Sequence, residues 1–144
     1  MTANHQRIEG PKGIGGWLIL PIIQLCLIAL LNLATLAGIN PSDYNGIEGI
    51  MTYDLLLATI QMILPVIALI LIFNQKRIAI TMVIITYASF VVFAWATTAL
   101  LSVNGVSGDV VFDYAATALG VTAGNALWIV YFILSKRVKS TFTK

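Results

Sequence analysis

The chain has 144 residues, of which 59% are hydrophobic and only 10% charged, and its formal net charge is +2. Soluble domains carry about 25% charged residues, so a soluble fold this apolar could not cover its surface with polar groups. The small net charge and the lack of a basic stripe in the sequence predict no nucleic-acid partner. The length is that of a single domain.

Four apolar segments follow one another along the chain, and none contains Asp, Glu, Lys, Arg or His. A helix crosses the hydrocarbon core with about 20 apolar residues, and lipid offers no partner for an open backbone group. The first segment is longer than the 7–15 residues of a signal-peptide core, which favours a retained span. The predicted spans are about 17–38, 55–73, 78–103 and 114–134, with tails at 1–16 and 135–144.

Only four residues separate the second and third spans, and so short a link predicts an antiparallel pair of helices. The predicted fold is therefore an all-α integral membrane protein. It is an antiparallel bundle of four transmembrane helices that forms one domain over residues 1–144.

The charged residues divide between the two sides of this predicted bundle. All eight Lys and Arg residues lie in the tails or in the link between the second and third spans, whereas the loops at about 39–54 and 104–113 contain none. Because short loops rich in Lys and Arg stay in the cytoplasm, both termini are predicted to be cytoplasmic. Asp54 and Asp113 are interpreted as favourable charges at the start of the second and fourth helices. An acidic vestibule that gathers cations is the functional alternative.

Small residues recur at every fourth position of the fourth span, at Ala116, Gly120 and Gly124. Such a face lets another backbone approach closely, so these residues are predicted to pack against a helix of the same bundle or of a second molecule. Pro65, near the middle of the second span, predicts a bend.

Four amide side chains lie within the spans, namely Gln24, Asn32, Gln61 and Asn125. They are predicted either to form hydrogen bonds between helices or to line a small polar cavity for a ligand.

The predicted cytoplasmic end carries aromatic and basic residues that would face lipid or a partner. They are Trp17, Trp128 and Tyr131, typical of the membrane interface, and Lys136, Arg137 and Lys139. A basic cluster next to a span attracts anionic lipid and also suits a docking protein.

Catalytic and metal-binding patterns are missing from the sequence. The single histidine, His5, lies in the N-terminal tail, and no His, Cys, Asp or Glu residues have metal-ligand spacing. No nucleophile–histidine pair and no ionisable residue within a span can be named. We therefore expect no enzyme activity, no cofactor and no metal.

Two stretches resemble a known family. Residues 15–20 (Gly-Gly-Trp-Leu-Ile-Leu) follow a short polar tail, and Trp128–Phe132 runs into residues 135–139 (Ser-Lys-Arg-Val-Lys) and then Thr141-Phe142. Together they resemble the bacterial membrane family called domain of unknown function 2569, whose members are short and have four predicted spans. Val130 stands where that family often has proline. The resemblance implies a bacterial inner-membrane protein and implies no reaction.

Two functional hypotheses follow. The first is a non-enzymatic accessory or scaffold protein of the bacterial cytoplasmic membrane that associates with other membrane proteins or with itself. The second is a small, dimeric transporter or a protein that binds a lipid or another amphipathic molecule, with Pro65 and the amides lining its cavity.

Overall fold

The computed structural model describes residues 14–40 and 48–142, and the described chain is built from four long helices. A 3-10 turn at Gly16–Leu18 leads into α1 (Ile19–Gly38), which is followed by α2 (Glu48–Phe73), α3 (Ile78–Val103), α4 (Gly108–Leu134) and the short α5 (Lys136–Thr141). No strand occurs among the described residues. The four long helices are apolar enough to cross a membrane, which confirms the predicted all-α, multi-pass fold.

Two of the helices begin earlier than the hydropathy pattern predicts. α2 begins at Glu48 and α4 at Gly108, each about two turns before the predicted span. Asp54 and Asp113 therefore lie in the second turn of their helices, and the interpretation that they mark the helix starts is wrong. In α4 the acidic residue of the first turn is Asp109. Hydropathy locates the end of an apolar segment, but a helix can continue through polar residues beyond that end.

The segment after the fourth span, which the sequence predicts to be a tail, contains a short helix. Ser135 leaves the helical conformation, and its Oγ accepts a hydrogen bond of 3.3 Å from the amide of Val138, which begins α5. Val138 and Phe142 are 0% and 2% exposed and belong to the hydrophobic core. α5 therefore folds back under the end of the bundle.

The helices pack in chain order, α1 against α2, α2 against α3, and α3 against α4, whereas α1 and α4 approach each other only loosely. The hydroxyl of Tyr53, near the start of α2, lies 3.0 Å from Oγ1 of Thr97, near the end of α3. This contact requires the two helices to run antiparallel. The bundle is consequently closed on three sides and least closed between its first and last spans.

The two ends of the bundle differ in charge. We call them the basic end, with Lys76, Arg77, Lys136, Arg137 and Lys139, and the acidic end, with Asp54, Asp109 and Asp113. The side of the membrane that each end faces remains a prediction from the positive-inside pattern.

The ends also differ in packing. The core consists of the first half of α1, the second half of α2, the first half of α3, the end of α4, and α5; its largest members include Leu25, Ile72, Tyr87, Phe132 and Phe142. Beyond Leu25, no residue of α1 is fully buried. The helices are therefore tightly packed at the basic end and leave space toward the acidic end.

Candidate functional site

A cavity of about 500 Å³ lies in the middle of the bundle and extends toward the acidic end. All four long helices contribute to it, and the contributing residues of each helix recur at helical spacing, so each helix turns one face to the same space. The lining residues are Gln24, Ile28, Leu31 and Asn32 from α1; Leu57 and Gln61 from α2; Phe90, Phe93, Ala94 and Thr97 from α3; and Gly120, Val121, Gly124 and Asn125 from α4.

The four amides singled out in the sequence all line this one cavity. Asn125 is 4% exposed, and Gln24 and Gln61 are partly buried. Within the described chain, none of these three side chains makes a hydrogen bond, whereas Nδ2 of Asn32 donates to the carbonyl of Ile28 in its own helix at 2.9 Å. Hydrogen bonds between helices, one of the two roles predicted for the amides, are therefore not formed by them here.

The cavity exists partly because of glycine. A Cβ atom added at Gly120 or Gly124 would meet no other atom within 4 Å. These glycines therefore make no close helix contact within the described chain, and the packing predicted for them inside the bundle is not formed. Ala116 is exposed and lies outside the cavity lining. Small residues permit a close backbone approach but do not enforce one, and here the missing side chains leave space.

Hydrogen bonds between the helices come instead from aromatic residues and threonines. Nε1 of Trp95 donates to Oγ1 of Thr122 at 3.0 Å and so links α3 to α4. Thr97 and Thr122 each donate their hydroxyl proton to the carbonyl four residues earlier, so each oxygen is left to accept from a neighbouring helix. It follows that Tyr53 is the donor in its bond to Thr97. The sequence feature that could have predicted these bonds is a threonine on one span and a tyrosine or tryptophan at a similar depth on the neighbouring span.

The remaining predicted residues take other places. Pro65 is buried within a continuous α2 and does not line the cavity, so the prediction that it contributes to the cavity wall is wrong. The bend predicted at Pro65 stays a prediction. Trp17 is 72% exposed, and its place at the membrane interface stays a prediction. Trp128 and Tyr131 stack edge to face at 6.1 Å and pack partly against the core, so they face lipid only in part. α4 continues unbroken through Val130.

The two ends of the chain that carry the family resemblance meet in space. A Cβ atom added at Gly15 would lie 2.9 Å from Nη2 of Arg137, and one added at Gly16 would lie 3.0 Å from Nη1. Gly16 also has φ of +56°, a conformation that favours glycine. The guanidinium of Arg137 thus lies against the Gly15-Gly16 turn, and its Nε is buried without a hydrogen-bond partner among the described residues.

The chemistry available in the cavity is that of neutral polar recognition. Among the described residues, its walls carry amide, hydroxyl and aromatic groups and no ionisable side chain. Among the described residues, no group of three or more His, Cys, Asp or Glu residues is placed to hold a metal ion. The cavity is suited to a molecule with both a neutral hydrogen-bonding part and an apolar part.

Of three comparisons with known proteins, one gives a match. No curated protein and no solved structure matches the chain. The family model described as "Protein of unknown function (DUF2569)" matches residues 11–143. That range includes both stretches that carry the resemblance and nearly all of the chain, which therefore belongs to this family.

Proposed function

We propose that this membrane protein binds a small amphipathic molecule in the cavity between its four helices. The observation that carries the proposal is the placement of Gln24, Gln61 and Asn125, whose amide groups border one cavity and have no hydrogen bond within the described chain. Of the two functions considered from the sequence, amphipath binding is the one that this cavity supports better.

The energetics of a polar group in a membrane support this proposal. A buried amide without a partner costs about 1–3 kcal/mol, and a partly buried one costs less. Asn125 is buried and Gln24 and Gln61 are partly buried, so all three favour a molecule that brings polar partners to them. A cavity of about 500 Å³ lies within the range of roughly 300–1,000 Å³ typical of ligand pockets. Leu57, Phe90 and Phe93 supply apolar wall for the rest of the ligand.

The loose approach of α1 to α4 supports access from the side. Leu31 and Asn32 of α1 and Gly120 and Gly124 of α4 line the same cavity, although their helices do not pack closely. A molecule dissolved in the bilayer would enter between these helices without crossing water. This route favours lipids, fatty acids and other amphipaths over a water-soluble substrate.

The test is a binding screen with fatty acids, lysophospholipids and diacyl lipids, followed by substitution of the amides. Asn125→Leu and Gln61→Leu each remove a polar partner and are expected to lower the affinity for any lipid found by about tenfold, the effect of a lost bond of about 1–1.5 kcal/mol. Thr59→Leu is the matched control, because Thr59 lies two residues before Gln61 on α2, does not line the cavity and donates a hydrogen bond of 2.7 Å to the carbonyl of Leu55 in its own helix. Unchanged binding by both cavity variants would refute the proposal.

An accessory role is the second candidate, and one observation favours it. The row of Ala116, Gly120 and Gly124 meets no helix of the described chain at its two glycines, so a helix of another protein or of a second copy has room to approach. Crosslinking in native membranes and size analysis in mild detergent test this role. A lone monomer that crosslinks to nothing would rule it out. We propose no reaction for either role.

The proposed location is the bacterial cytoplasmic membrane, with both termini in the cytoplasm. The family resemblance seen in the sequence implies the bacterial inner membrane, and the basic end supports the orientation. In this orientation the cavity opens toward the outer half of the bilayer.

A further inference from the structure

A second recess, of about 440 Å³, lies at the basic end and is separate from the central cavity. Arg77, at the start of α3, and Lys139, on α5, supply two cations from distant parts of the chain. Ile80, one turn into α3, and Phe142, just after α5, supply apolar wall. The recess exists because α5 folds back under the bundle and brings Lys139 near the α2–α3 link.

The charge of this recess is not balanced by the described part of the chain. No ion pair joins Arg77 or Lys139 to a carboxylate among the described residues. The acidic residues with described side chains, Asp54, Asp109 and Asp113, all lie at the opposite end of the bundle. Two exposed cations at one recess therefore favour an anion supplied from outside the described chain.

We infer that this recess binds the phosphate group of an anionic membrane lipid. Arg77 and Ile80 stand at the start of the candidate span Ile78–Val103. If α3 crosses the membrane over this span, the recess is at the level of the lipid headgroups. The cations suit the phosphate, and Ile80 and Phe142 suit the glycerol and the first part of the acyl chains. A free phosphate ion would make no favourable contact with the apolar wall. The geometry therefore favours a lipid headgroup as the source of the phosphate.

The test measures the apparent Kd for a short-chain phosphatidylglycerol by native mass spectrometry of the full chain in nonionic detergent. The double variant Arg77→Gln with Lys139→Gln removes the two cations of the recess. The control, Lys76→Gln with Lys136→Gln, removes the same charge from neighbouring residues that do not line it. A general surface attraction would weaken both variants alike, by about fivefold for each charge. The recess predicts a loss about tenfold greater in the first variant than in its control.

Two further arms complete the experiment. The charge-conserving variant Arg77→Lys with Lys139→Arg is expected to retain most of the binding, and thermal unfolding without added lipid shows whether each variant is folded. Millimolar inorganic phosphate is expected to compete poorly. Equal losses in the recess variant and its control would overturn the inference, and so would inorganic phosphate that displaces the lipid efficiently.

Discussion

Because the two ends of the bundle differ in packing, we expect the same substitution to lower the free energy of unfolding by different amounts at each end. Phe132 is 0% exposed in the core of the basic end, whereas Phe93 lines the cavity. A phenylalanine-to-alanine change removes the six ring carbons and leaves a residual cavity of roughly 100 Å³ if the core does not relax. In a membrane the unfolded side chain stays in lipid, so the cost comes mainly from lost packing and not from transfer to water.

The loss in free energy of unfolding can be estimated from this volume. At about 24 cal/mol per Å³ of residual cavity, Phe132→Ala costs up to about 2.5 kcal/mol. Phe93→Ala enlarges a space that already exists and loses contacts on fewer sides, so we expect a cost below about 1 kcal/mol. Phe112→Ala is the control, because Phe112 is 73% exposed and its replacement should change stability by less than about 0.5 kcal/mol.

The assay is reversible unfolding in mixed micelles of mild detergent and dodecyl sulfate, followed by helicity and tryptophan fluorescence. The reasoning requires the loss in free energy of unfolding to be clearly larger for Phe132→Ala than for Phe93→Ala. Equal losses, or a larger loss for Phe93→Ala, would show that the acidic half is as closely packed as the basic half and that the cavity is not open.

Three more predictions concern the ends, the helix contacts and the orientation. Gly16→Ala should destabilise the protein by about 1–2 kcal/mol because φ at this position is positive, and the loss should be smaller in an Arg137→Ala background, where the guanidinium no longer crowds the new methyl group. A double-mutant cycle of Trp95→Phe and Thr122→Val should give a coupling near 0.6 kcal/mol, the usual size of a hydrogen bond between membrane helices, and additive losses would contradict the bond. A reporter that is active only in the cytoplasm should be active when fused to the C-terminus, and an inactive reporter with normal expression would reverse the predicted orientation.

The sequence predicted the number of spans because hydropathy and charge report the same property independently. Four uncharged segments with basic residues on alternate connections require an even number of crossings. The starts of α2 and α4 were missed because Glu48–Asp54 and Gly108–Asp113 are helical although they contain acidic residues, and hydropathy does not distinguish a polar helix from a polar loop. α5 was missed because its basic residues mask the apolar pair Val138 and Phe142.

The residues of the candidate site were predicted better than its geometry. Gln24, Gln61 and Asn125 stand out in the sequence because amides are unfavourable in lipid without partners. Whether they pair with one another or border a cavity depends on how each helix is rotated, which one sequence does not specify. Gly120 and Gly124 illustrate the same limit, since glycine is equally compatible with a close contact and with open space. The recess at the basic end depends on the path of α5 and has no signal in the local sequence.

The central claim, that the cavity holds an amphipathic molecule, is tested most directly by identifying what the protein retains. The full chain is purified from native membranes in mild detergent, and its bound molecules are quantified by mass spectrometry beside the variant Gly124→Leu, which fills part of the cavity where a Cβ meets no atom. Ala123→Leu, at the exposed neighbouring position, is the control. We predict one class of amphipath retained by the native chain and by the control and lost from Gly124→Leu. Retention of the same molecule by Gly124→Leu, or no molecule enriched above the detergent background in the native chain, would contradict the claim.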